Sequence, residues 1–141
     1  IETMAVSKIL WNSPGIPGTA GAALSAGDVV GYNSSGALVK ADADASTPIP
    51  AVGVILFDAA SGAPCTFATQ AIVKDEDWNW TAPGYIYLSG TAGGYTATKP
   101  STATNIVQPI GVATSATTAF INVSLQQHVL QADGNSTLAV Y

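Results

Sequence analysis

Glycine, proline, serine and threonine interrupt every apolar run in this chain, and no window carries the 3.6-residue periodicity that an amphipathic helix needs. What lies between the interruptions is short and rich in β-branched and aromatic residues, which is the pattern of strands. AGDVVGYNSSGALVKA reads as a hairpin: Val29, Val30 and Tyr32 on one arm, Asn33 to Gly36 as the turn, Leu38 and Val39 on the other. IPAVGVILFD predicts a strand buried on both faces. After the AASGAP turn, CTFATQAIVK continues with alternating character. PGYIYLSGTAGGYTAT predicts a second hairpin turning at Gly90, Gly93 and Gly94, and IVQPIGVAT and AFINVSLQQ predict two further strands. Almost no helix is expected.

A weak internal repeat organises these elements. Gly27-Asp28-Val29-Val30 with Gly36 aligns with Gly84-Tyr85-Ile86-Tyr87 and Gly93 at an offset of 57, and Val52-Gly53-Val54 aligns with Ile110-Gly111-Val112 at an offset of 58. Each unit reads as a hairpin, a polar loop and an apolar strand containing Gly-Val. A chain of 141 residues supports one core. The expected fold is therefore all-β: a single β-sandwich or small barrel of two hairpin-plus-strand units, with extended N- and C-terminal arms.

The ends differ from this middle, and the expected division is an N-terminal arm over 1–24, a β-domain over 25–125 and a C-terminal strand or hairpin arm over 126–141. Ile9, Leu10 and Trp11 precede Pro14, Gly15, Pro17 and Gly18, which break regular structure. At the other end an Asp133-Gly134 turn signal separates two short apolar segments. Apolar arms on a small β-domain are natural devices for adding a strand to a neighbour's sheet, the alternative being that both pack on their own domain. The candidate assembly residues on the arms are Ile9, Leu10, Trp11, Leu138, Val140 and Tyr141.

Charged residues make up only 9% of the chain, against roughly 25% in soluble domains. No stretch reaches the roughly 18 apolar residues of a membrane helix, so no membrane span is expected. Low charge without a span points to a surface that ends up against neighbours. The net charge is −5, arginine is absent, and the basic side chains are the scattered Lys8, Lys40, Lys74 and Lys99. Nucleic acid is not an expected partner, because phosphate recognition needs a basic stripe. Cys65 is alone, which excludes an intrachain disulfide and points to a small buried apolar residue. The opening IETMAVSKIL has neither a sustained apolar core nor a cleavage motif of a secretory signal; a processed product and a start at Met4 both stay open.

Chemistry is sparse. His128 is the only histidine, with no G-x-S-x-G elbow to select a serine for it, and no phosphate-binding glycine motif is present. No catalytic residue, metal site or cofactor is expected. Asp75, Glu76 and Asp77 form the one dense acidic cluster, better read as a solvated loop than as a calcium or glycosidase site. Trp78 and Trp80, two apart, share a face if they lie in a strand, and with Tyr85 they form a candidate aromatic interface or glycan platform. Asn33, Asn79, Asn122 and Asn135 each open an N-x-[ST] glycosylation motif, four of the six asparagines.

The blocks G-D-V-V…G-A-L-V-K-A, V-G-V…D-A-A-S-G-A-P, V-K-D-E-D-W-N-W…P-G-Y-I-Y-L-S…T-A-G-G-Y-T and Q-P-I-G-V-A-T-S-A-T-T-A-F-I-N-V-S, between Gly27 and Ser124, resemble β-modules of phage structural proteins of capsid-cement, decoration or tail-fibre type. The resemblance implies a compact β-domain that binds its own kind or a virion lattice, with no active site. The expected function is a non-enzymatic structural subunit at a virion surface or outside a cell. Its expected partners are copies of itself, as a homo-oligomer or helical polymer, and a capsid or tail lattice. The alternative is a carbohydrate-binding adhesin module built on Trp78, Trp80 and Tyr85.

Overall fold

The computed structural model describes residues 8–44, 48–101, 105–124, 126–130 and 136–140, the last two segments and Lys8 by their backbone. Every regular element among them is a strand. The first half of the chain forms β1 (Lys8–Asn12), β2 (Ile16–Thr19), β3 (Val29–Tyr32), β4 (Leu38–Lys40), β5 (Gly53–Ile55) and β6 (Pro64–Ala68). The second forms β7 (Gln70–Lys74), β8 (Gly84–Leu88), β9 (Tyr95–Thr96), β10 (Ile106–Val107), β11 (Pro109–Ala113), β12 (Thr118–Asn122), β13 (Gln126–Leu130) and β14 (Ser136–Val140).

Two antiparallel sheets pack face to face as a sandwich. One runs β1-β7-β12-β11-β8-β9 and the other β2-β6-β5-β3-β4; a third, small sheet runs β10-β13-β14. Both large sheets are open, which decides between the sandwich and the barrel in favour of the sandwich. Period-two alternation sets the inner faces: Ala71 and Val73 on β7, Ile86 and Leu88 on β8, and Ala119 and Ile121 on β12 are buried, while their strand neighbours are not. These residues meet Val29 and Val54 of the opposite sheet in the main core. Each large aliphatic side chain fully buried there contributes about 1.5 to 3 kcal/mol.

The five-stranded sheet is covered on its other face as well. Val30, Leu38, Ile55, Cys65 and Phe67 form a second core with Ala20 and Leu24 from the segment after β2. That segment is held by main-chain bonds, Leu24 N–H to Ala59 O at 2.8 Å and Ala20 N–H to Ala63 O at 2.9 Å. Burial on both sides accounts for the uninterrupted apolar sequence of β5, as its composition predicts.

The repeat extends further than the sequence alignment. In chain order β2, β3, β4, β5 and β6 correspond to β7, β8, β9, β11 and β12, and both sets are arranged in space as first, fifth, fourth, second, third. Gly36 and Gly93 close the two hairpins with φ of 80° and 78°, a left-handed backbone that glycine adopts without steric cost.

Several elements depart from the sequence reading. The 1–24 segment is extended but, where described, not detached: β1 pairs with β7 and β2 with β6 of the same chain. An alternating sequence with apolar residues can complete its own sheet edge as readily as a neighbour's, and the pattern alone does not distinguish them. CTFATQAIVK is two strands, because the chain crosses from one sheet to the other at Thr69. IVQPIGVAT is likewise split, at Gln108, into β10 and β11. Trp78 and Trp80 lie in a turn-rich connection, and the shared-face argument for a strand does not apply to them.

Candidate functional site

The inner face of the six-stranded sheet is filled by the main core, which leaves its outer face to be described. Directly opposed residues in neighbouring strands point to the same side. Trp11 opposes Ile72, Ile72 opposes Phe120, Phe120 opposes Val112, and Val112 opposes Tyr85. These five side chains form one apolar row across β1, β7, β12, β11 and β8. Trp11 is 46% exposed and Tyr85 67%, while Ile72, Val112 and Phe120 are half-buried. On one side the row is bordered by Gln70 and Asn122, whose amides meet at 3.4 Å. On the other stand Thr118 and Lys74, the latter paired with Glu76 at 3.0 Å.

The row thus has an apolar centre, an uncharged amide border on one side and a lysine paired with a glutamate on the other. The relief is slight: a depression of about 320 Å³ lies among Pro83, Gly84, Tyr85 and Val112, and one of about 300 Å³ reaches from Tyr85 past Phe120 to Asn122. A shallow, open face of this kind suits a broad partner better than an enclosed small molecule.

The arm residues are divided by the structure. Ile9 packs against the main core, whereas Leu10, 56% exposed, and Trp11 face outward. Leu138 and Val140 lie in β14, the outermost strand of the small sheet. Tyr141 and Asn135 fall outside the described residues.

The aromatic trio does not form one platform. The Trp78 and Trp80 rings are 5.0 Å apart, Trp78 meets Tyr95 edge-on at 5.1 Å, and all three rest on the main core. Tyr85 stands apart from them, on the outer face. The Trp80 indole Nε1 is buried without a hydrogen-bond partner among the described residues.

Several ionisable groups are engaged within the fold. Asp75 Oδ1 accepts from the Asp77 N–H at 2.9 Å and so shapes its own turn. The Tyr95 hydroxyl donates to the Gly27 carbonyl, and burial, with the charges of Asp28 and Asp75, pushes its pKa upward. Burial also raises the Asp28 carboxyl above its ordinary 3.8, against the opposing pull of its bond from Ser25 N–H and of Lys40; Asp58 adds to the rise. Cys65 is buried, and desolvation raises its thiol. No group of three or more His, Cys, Asp and Glu side chains that could hold a metal ion occurs among the described residues.

Of the glycosylation motifs, Asn33 is committed to its turn, its Oδ1 accepting from the Ser35 and Ala37 N–H groups at 2.9 and 3.0 Å. Asn79 and Asn122 are exposed. Asn122 borders the apolar row, so a glycan there would cover part of it.

Sequence reasoning did not single out Ile72, Phe120 or Val112. Their signal was the alternation itself: QAIVK and TAFIN place an apolar residue on the face opposite the core residues. Recognising an exposed row required the strand order, which the alternation does not contain. Compared with known proteins, the sequence matches no family model and no curated protein.

Proposed function

We propose that the chain is a non-enzymatic structural subunit that assembles with copies of itself, into a virion-surface lattice or an extracellular filament. The row Trp11–Ile72–Phe120–Val112–Tyr85 is the observation that carries this reading. A row of five apolar side chains on a solvent-facing sheet is costly to leave wet, and the chain's 9% charge supplies little to keep copies apart. Burying several hundred Å² of such surface at about 25 cal/mol per Å² contributes several kcal/mol before ordering costs, and a repeated contact multiplies the gain.

Light scattering and negative-stain microscopy of the purified chain over a range of concentrations test the reading. Uniform large particles or filaments are the expected result, and Phe120→Glu, which sets a charge in the middle of the row, should raise the concentration at which they form. A chain that stays monomeric at every concentration overturns it. The exposed Tyr85 ring beside its depression favours a second reading, a glycan-binding module. Retention on immobilised glycans that Tyr85→Ser abolishes while assembly persists would support that one instead.

A further inference from the structure

A sheet ends safely when its outer strand is short, carries proline or charge, or is covered. The four lateral edges of the sandwich meet this condition to different degrees. β4 is capped by the segment after β2 through the Gly21 N–H to Leu38 O bond at 2.7 Å. β9 has two residues, and β2 carries Pro17, which has no N–H to offer. β1 is the least protected of the four: among the described residues it ends its sheet with five residues and no proline, and what blunts it is the terminal Lys8 and a bulge at Leu10, which has no partner on β7. Leu10 and Trp11 are both exposed there.

The small sheet holds the complementary feature. β13 and β14 pair along all five residues of each, and among the described residues they join the rest of the chain through two ladder pairs, Ile106 with Val129 and Val107 with His128. β14 is the outer strand, Ser136–Val140, without charge or proline. A two-stranded hairpin is marginal in water unless a further strand or packing surface supports it.

The geometry points to strand addition between copies: we infer that β14 of one subunit pairs along the open edge of β1 in the next. The inference rests on the self-assembly reading and names the surfaces that would carry it. Within one copy the two edges belong to different sheets. β10 is bonded to the segment after β4, Ile106 N–H to Ala43 O at 3.1 Å, on the side where β4 and β9 lie. β1 ends the sheet at the opposite side, five strand spacings or roughly 24 Å from β9. A donor and an acceptor at different places on one chain make a head-to-tail contact, which propagates as a filament unless its rotation closes a ring. The added strand would also lie beside Trp11, the last member of the apolar row.

Two variants separate the ends. Leu10→Lys spoils the acceptor and leaves the donor, whereas Leu138→Glu spoils the donor and leaves the acceptor. Each alone should raise the concentration for half-maximal assembly by about tenfold or more. Mixed in equal amounts, they should form a heterodimer and nothing larger in sedimentation velocity, because one intact donor meets one intact acceptor. The heterodimer requires both variants to be folded, so its appearance also answers the objection of misfolding. Wild-type chain that never associates overturns the self-assembly reading itself. Wild-type assembly with both variants assembling equally well, or a mixture that yields no heterodimer, overturns strand addition and leaves self-assembly standing.

Discussion

Gly53 and Gly111 hold equivalent positions in the two halves of the sandwich, and at each a side chain would collide with the neighbouring strand. A Cβ on Gly53 would overlap the Ala68 carbonyl oxygen, and one on Gly111 the Phe120 carbonyl oxygen. In both halves the Gly-Val strand is pressed against the strand that follows it, β6 or β12. The obstacle is main chain, which cannot rotate aside as a flexible side chain does. Gly53→Ala and Gly111→Ala are therefore each expected to cost about 1 to 3 kcal/mol, the usual range for overpacking. Gly36→Ala should cost no more than the strain of its positive φ, since no heavy atom lies near its added Cβ. Urea unfolding of the three variants checks the order.

Gln108 is the polar centre of the interior. It is fully buried between β10 and β11, and its Oε1 accepts from the Ala51 N–H at 2.8 Å while its Nε2 donates to the Ala51 and Ser124 carbonyls at 3.0 and 2.7 Å. The amide thus takes the place of a strand for the segment leading into β5. Gln108→Leu would keep the volume and remove the bonds to the Ala51 N–H and carbonyl, at about 1 to 3 kcal/mol for each group left unsatisfied. Chemical denaturation should report a loss of that order, and amide exchange at Ala51 should accelerate.

Asp28 gives stability a pH dependence. Its folded pKa is raised above 3.8, chiefly by burial, so the folded state holds its proton more tightly than the unfolded chain. The resulting contribution to stability is full below the ordinary Asp pKa and is lost as pH rises through the raised folded value. Asp28→Asn keeps an oxygen to accept from the Ser25 N–H, 2.9 Å away in the native protein, and removes the ionisation. Its stability relative to the wild type should grow between acid and neutral pH. Thermal melts of both proteins across that interval measure the difference; parallel curves would exclude Asp28 as the source.

The sequence carried the strands well because local turn chemistry and alternation determine them. Asn33 to Gly36 and Gly93 produced their hairpins, and the 57- and 58-residue offsets anticipated a topological repeat whose full five strands emerged only from pairing. Pairing is non-local, and this limited the reading in two places. Thr69 interrupts one alternating run with no proline or glycine to mark the passage between sheets. Ile9 and Trp11 have the same apolar character, yet one serves the core and the other the surface, because their places on opposite faces of β1 are fixed by the pairing with β7. The outer row was invisible for the same reason: five residues from five strands become neighbours only once the strand order is known.

Trp80 shows how the structure changes the choice of test. In a surface platform, Trp80→Ala would discriminate glycan binding from assembly. Packed on the core against Trp78, Trp80 instead supports the fold, and its removal to alanine should cost about 3 to 5 kcal/mol, confounding either readout. Trp80→Phe is the informative change. It deletes the buried Nε1 that lacks a partner among the described residues, which relieves a desolvation cost of about 1 to 3 kcal/mol, while giving up part of the packed ring. The two effects oppose each other, so Trp80→Phe should fall within about 1 kcal/mol of the wild type. A loss as large as that of Trp80→Ala would mean that the lost ring packing outweighs the relieved N–H; thermal melts of the wild type and the two variants measure the balance.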